Sequence, residues 1–173
     1  MILAGNGNSG YSSENFSLLV MSNITERTLI IMKPDALQRS LVGEILRRFE
    51  LKGLKIVGMK MMSLSDMHLD EHYAHHKDKS FFGDLKKFMM SSPVVVTALE
   101  GIDCVNAVRI IIGKTRGNEA DAGSIRGDLS MGNMNLVHAS DSVENAEKEI
   151  YRFFNTDELF DYRKIDFDFI YGK

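Results

Sequence analysis

Apolar residues gather along this chain in four short runs and several stripes at helical spacing. Leu29-Ile30-Ile31-Met32 is unbroken, follows Arg27-Thr28 and ends at Lys33-Pro34, where proline cannot continue a strand. This predicts a strand over 27–32. Val42, Ile45, Leu46 and Phe49 lie three or four apart and predict a helix that stops at Gly53. A second strand is expected over 55–62, then two helical segments over 66–76 and 82–90, the latter closed by Ser91-Ser92-Pro93. The β-branched run at 94–99 reads as a buried strand, and 103–112 as a helix with Val105, Val108 and Ile112 inward. Residues 115–130 are polar and glycine-rich and read as a long loop. A fourth strand is expected over 134–138. The helix after it runs through Phe154, with Asp141 and Glu144 as a capping box and Val143, Ala146, Ile150, Phe153 and Phe154 facing inward. The order β-α-β-αα-β-α-β-α is that of an α+β, ferredoxin-like fold, a four-stranded antiparallel sheet covered by helices.

Residues 1–24 have a different texture. Gly5-Asn6-Gly7-Asn8-Ser9-Gly10 offers little to bury, so this segment is expected to be a flexible extension, with Met21 a candidate start and residues 25–173 the folded domain. Its Gly-x-Gly-x-x-Gly spacing has no strand before it and no helix after it, which excludes a dinucleotide fingerprint. Gly113-Lys114-Thr115 fails as a phosphate loop because Val108 stands where the first glycine is required.

Composition narrows the class. With 44% hydrophobic and 26% charged residues the chain is an ordinary globular domain, and its net charge of −3 gives no general attraction to nucleic acid or anionic membrane. One cysteine, Cys104, excludes an internal disulfide and suits a reducing compartment. No apolar run approaches the roughly 20 residues that span a bilayer. A cytoplasmic location is expected. An RNA-binding module of this architecture would carry aromatics on its central strands, and 28–32 and 94–99 hold none.

The chemistry concentrates in Asn135-Leu136-Val137-His138-Ala139-Ser140-Asp141-Ser142. A histidine closing an apolar run is presented at an edge, and Glu149, two helical turns past Ser142, comes back toward it. An imidazole beside a carboxylate is poised as a nucleophile or base. Lys33 sets an ammonium at a strand end. Further on stand Tyr73, Phe81-Phe82, Arg109, Thr115 and Ile125-Arg126-Gly127-Asp128.

Together, Lys-Pro-Asp, Ile-Arg-Gly-Asp and Asn-x-x-His-x-Ser-Asp-Ser, in that order, resemble the nucleoside diphosphate kinase family from about Arg27 to the C-terminus. The resemblance implies transfer of a γ-phosphoryl group from nucleoside triphosphate to nucleoside diphosphate, in ping-pong fashion, through a phosphohistidine at His138. By the same resemblance Ser140 and Glu149 orient the imidazole, and Tyr73 lies close to it. Arg109, Thr115 and Arg126 clamp the phosphates. Lys33 and Asn135 reach the sugar hydroxyls, and Phe81, with Leu85 beside it, stacks on the base. Stacking tolerates any base, so broad base specificity is expected. Mg2+ would enter on the nucleotide phosphates with no dedicated protein ligand. A homo-oligomer is implied, a hexamer in preference to a tetramer, because of the long aromatic C-terminal segment.

Some positions depart from the family pattern. Arg126 and His138 are twelve apart, one fewer than usual. Ala139 stands for glycine, Met134 for a basic residue and Gly117 for proline. Loss of that proline is expected to loosen the loop and lower thermal stability.

Overall fold

The structure is a computed structural model and describes residues 25–172. The expected extension at 1–24 lies outside the described residues. Four strands, β1 (Thr25–Met32), β2 (Lys55–Met62), β3 (Val94–Ile102) and β4 (Val137–Ala139), form one sheet in the order β2-β3-β1-β4. Every pairing is antiparallel. This is the architecture expected from the hydrophobic pattern.

Two cores follow from alternation along β1. Ile30 and Met32 turn to one face and join residues of α1 (Pro34–Gln38), α2 (Val42–Leu51) and α5 (Cys104–Ile112): Ala36, Ile45, Phe49, Cys104, Val108 and Ile112. Leu29 and Ile31 turn to the other and meet residues of α3 (Asp66–His72), α4 (Phe82–Met89) and α7 (Val143–Phe153): Leu69, Met89, Ile150 and Phe153. Phe49, Ile45 and Leu69 are almost wholly buried. Each such side chain contributes about 1.5–3 kcal/mol by leaving water, and Ile45→Ala would cost about 2–5 kcal/mol through lost burial and a cavity. Gly53 ends α2 in a left-handed conformation, φ +98, that a side chain would strain.

Several local expectations are corrected. Pro34 does stop β1, but it also begins the short helix α1, since a proline at the first helical position loses no hydrogen bond. The stretch at 115–130 is not all loop: it carries a 3-10 turn, Gly117–Glu119, and helix α6, Ile125–Leu129, capped by Ser124. β4 starts at Val137, later than Met134. The cap of α7 is Ser142, whose hydroxyl accepts from Asn145 N, so Asp141 and Glu144 form no capping box. Asp141 instead accepts from the Asn145 side chain, Glu144 pairs with Lys148, and Val143 is exposed.

The register pairs Ile31 with His138. Directly paired residues share a face, so His138 faces the layer that holds α3 and α7. The C-terminal segment returns over β2, where Phe160 N bonds Val57 O at 2.7 Å and Tyr162 Oη bonds Ile56 O at 2.9 Å. It ends in α8 (Phe167–Tyr171). No helix among the described residues is long and apolar enough to cross a membrane.

Candidate active site

An open cleft of about 1090 Å³ lies beside β4. Lys33, Tyr73, Phe81, Leu85, Arg109, Thr115, Arg126, Asn135, His138 and Glu149 all line it. Of the residues to which the resemblance gives a role, only Ser140 does not, because it is fully buried behind Glu149.

The centre is the pair His138 and Glu149. His138 Nε2 lies 3.0 Å from Glu149 Oε2, and the same oxygen accepts from Ser140 Oγ at 2.7 Å. Ser140 Oγ in turn accepts from Leu29 N at 3.2 Å, which ties the group to β1. Burial opposes ionisation of Glu149, but the hydrogen bonds from His138 and Ser140 outweigh it and hold the carboxyl below its ordinary value. A carboxylate at Nε2 fixes that nitrogen as the N–H. Nδ1, with no hydrogen-bond partner among the described residues, keeps its lone pair for the cleft.

Two aromatic neighbours pack on this imidazole. His72, from the last turn of α3, meets His138 edge-on with centroids 4.5 Å apart. Burial, reinforced by His138 and Arg152, pushes His72 down to about 3, so it stays neutral. Arg152 lies at 3.3 Å from His72 Nδ1, which makes that atom the acceptor, while the buried Nε2 has no partner among the described residues. Tyr73 stands edge-on to His138 at 6.0 Å, and burial, then Glu149, drives its hydroxyl above the ordinary tyrosine range. His72 was missed in the sequence, where only its place before Tyr73 singled it out. His72, His138 and Glu149 bring ligand atoms within 4.8 Å of one another, a spacing that a transition metal could use. Glu149 Oε2 is already engaged by His138 and Ser140, however, and a guanidinium faces His72.

The cations form a second group. Lys33 Nζ donates to Asn135 Oδ1 at 2.6 Å, and Asn135 Nδ2 donates to Thr115 O at 2.8 Å. Burial and then the charge of Arg126 lower the Lys33 ammonium to about 8, against the opposing pull of Asp35. Arg126 is buried and spends its fork on backbone: Nε to Asn135 O, and its two terminal nitrogens to Gly113 O and Val137 O. Its neighbour in sequence, Asp128, pairs with Arg48 instead. Burial, then nearby Arg109, brings Arg126 down to about 10, so it remains charged near neutral pH. Arg109 is exposed in the cleft, with no hydrogen bond or ion pair among the described residues. At the mouth, the half-exposed Phe81 presents a ring braced edge-on by His76 at 5.4 Å. The cleft therefore joins an aromatic platform, a cationic interior and an imidazole with one open nitrogen.

The chain matches the family model described as nucleoside diphosphate kinase over residues 26–159. The chain belongs to the nucleoside diphosphate kinase family. It is 54% identical over 138 residues to the nucleoside diphosphate kinase of Parabacteroides distasonis, covering 79% of this chain and 90% of that one. To nucleoside diphosphate kinase B of Mus musculus it is 46% identical over 152 residues, 87% of this chain and 99% of the relative. Among solved structures, the Halobacterium salinarum nucleoside diphosphate kinase in complex with CDP superposes with a TM-score of 0.83 at 42% identity, over 86% of this chain and 99% of that one. The Borrelia burgdorferi enzyme, a transition-state mimic with vanadate and ADP, gives a TM-score of 0.79 at 31% identity, over 85% and 97%. Like the family, the chain is a phosphotransferase that moves phosphate between nucleotides.

Proposed function

We propose that His138 is the residue that carries the phosphate. Nδ1 attacks the γ-phosphorus of a nucleoside triphosphate, the bond from phosphorus to the bridging oxygen breaks, and the electron pair leaves with the diphosphate. A second diphosphate then takes the group from Nδ1 through a terminal oxygen, in ping-pong order. The observation that carries this reading is the 3.0 Å contact of His138 Nε2 with Glu149, which leaves Nδ1 open. Glu149 stabilises the ring as it gains positive character, and Ser140 keeps Glu149 in place. Arg109, Thr115 and Arg126 meet the phosphates, Lys33 and Asn135 the sugar hydroxyls, with Tyr73 beside the imidazole. Phe81 and Leu85 support the base without reading its edge, so purines and pyrimidines should serve alike.

Magnesium fits this site as an ion carried by the nucleotide. It prefers oxygen ligands in octahedral array, and the four carboxylates that line the cleft are each engaged already, Glu71 by Arg152, Asp84 by Lys87, Asp141 by Asn145 and Glu149 by His138. When bound, it neutralises phosphate charge, and no side chain is assigned to it. The folded unit is taken as residues 25–173, and a cytoplasmic location fits the lone buried Cys104. A hexamer fits the exposed Phe160, Tyr162 and Phe169 of the tail and Met59 and Met61 on the edge strand β2. Light scattering should give six subunits; a mass of two or four contradicts the hexamer.

Incubation with γ-labelled nucleoside triphosphate tests the reaction. The label should appear on the protein, be lost in acid, survive base, and be absent from His138→Ala. An acid-stable label, or a labelled variant, overturns it.

A further inference from the structure

Leu136 adopts a left-handed backbone, φ +66, although leucine has no special tolerance for it. Its amide donates to Asp35 Oδ2 at 3.0 Å, and its carbonyl accepts from Lys33 N at 2.8 Å. The next amide, Val137 N, folds back onto Asn135 O at 2.7 Å. A hydrogen bond spanning two residues with positive φ between them is a γ-turn of the rare, strained form. Strained backbone of this kind persists only where its surroundings hold it.

The turn has a geometric effect on the site. In a regular strand, residues three apart point to opposite faces. Asn135 and His138 are three apart, yet the Asn135 side chain reaches Lys33 Nζ and the His138 ring reaches Glu149, all four residues lining one cleft. The turn at Leu136 supplies the odd step. Asp35 is what grips its central amide, reaching across from α1, the short helix that begins at Pro34. Its other oxygen, Oδ1, is buried with no hydrogen-bond partner among the described residues. A carboxylate half unsatisfied in this way is retained for what its first oxygen does.

We propose that Asp35 is a positioning residue for phosphoryl transfer, its carboxylate holding the left-handed turn at Leu136 that aims Asn135 and His138 into one cleft. The proposal rests on His138 as phosphate carrier. Asp35 touches neither substrate nor the reacting atoms in this scheme and acts through the turn alone. Its proximity to Lys33 suggests a competing role, support of the ammonium charge, and the choice of variants separates the two.

Asp35→Asn keeps an acceptor at the Leu136 amide and loses the charge. Asp35→Glu keeps the charge and moves the acceptor by one methylene. Single-turnover labelling with saturating triphosphate should leave Asp35→Asn within about threefold of wild type and slow Asp35→Glu by about 10²-fold, the cost of misplacing a reacting group by about an ångström. Asp35→Ala should be as slow as Asp35→Glu where it folds. Affinity for ADP should fall far less than the labelling rate in Asp35→Glu and Asp35→Ala, because Asn135 moves with the turn while Phe81 and Arg109, which do not touch it, stay in place. A purely structural residue would lower the melting temperature and leave the labelling rate of folded protein unchanged. Asp35→Glu at the wild-type rate, or a slow Asp35→Asn, overturns the proposal whether or not Asp35→Ala folds. Absence of label on wild-type His138 would instead refute the underlying mechanism.

Discussion

Lys33 and Asn135, 102 positions apart in the chain, meet through a 2.6 Å hydrogen bond at the floor of the cleft. The bond sets an ammonium where burial has already lowered its proton affinity to about 8. Below that value Lys33 is charged in both folded and unfolded chains. Between about 8 and its ordinary 10.5 the folded chain binds fewer protons, so the stability linked to this group rises with pH while its charge in the cleft is lost. The profile of kcat/KM, which reports the free enzyme, should therefore fall above pH about 8. In Lys33→Arg, which cannot deprotonate, that limb should vanish. Its survival there would assign it to another group.

Glu149→Gln should slow phosphorylation of His138 by about 10–10²-fold, the equivalent of one charge-assisted hydrogen bond lost from the transition state. Because the native carboxyl lies below its ordinary 4.5, its contribution to stability is present above that pH and is lost on further acidification. The variant should thus lose part of the acid limb of its melting curve. Stopped-flow labelling within twofold of wild type would contradict the orienting role.

The nitrogen proposed to take the phosphate can be read directly. In enzyme labelled with ¹⁵N-histidine, phosphorus should couple to Nδ1 of His138, since Nε2 is engaged by Glu149. Coupling to Nε2 would mean that the ring turns over before it reacts.

Arg126→Ala should reduce catalytic efficiency by about 10²–10³, as when one preorganised donor is removed from a charge-stabilising site. It should also lower the melting temperature, because the carbonyls of Gly113, Asn135 and Val137 each lose a donor. An uncompensated buried group costs about 1–3 kcal/mol. Arg126→Lys should rescue neither effect, for lysine lacks the fork that serves several acceptors at once. A variant with normal melting and low activity would confine Arg126 to the phosphates.

Position 117 behaves differently from a simple loss of proline rigidity. A Cβ on Gly117 would run into the backbone carbonyl of Ser130, so the shortened stretch before His138 packs into the space that glycine leaves. Gly117→Ala should cost about 1–3 kcal/mol, a fall of about 2–12 °C in Tm. Gly117→Pro should do no better. A gain in Tm from either would show that the loop yields easily.

Much of this was legible in the chain, for identifiable reasons. β2 was read at its observed bounds, and both apolar faces of β1 follow from one unbroken apolar run. His138 and Glu149 were paired because a helix starting at Ser142 brings position 149 back after two turns. Helix α6 was hidden because its apolar residues, Ile125 and Leu129, are too few to make a stripe among glycines and polar residues. The turn at Leu136 was hidden in an apolar run that reads as continuous strand. His72 reaches His138 from α3 across the fold, and spacing along the sequence carries no trace of that contact.

The pairing of Ile31 with His138 has a consequence for folding fidelity. β4 holds only three paired residues, so its register against β1 depends on the bonds at its two ends, Lys33 N to Leu136 O and Ser140 N to Leu29 O. A shift by one would turn the imidazole to the opposite face and offer Val137 or Ala139 to the nucleotide. Such a chain could keep nearly all its helices and most of its core, and look native to circular dichroism, while having no nucleophile in reach. With His138 as the proposed phosphate carrier, turnover per folded molecule becomes a gauge of strand register, sensitive to an error that spectroscopic measures of folding would pass over.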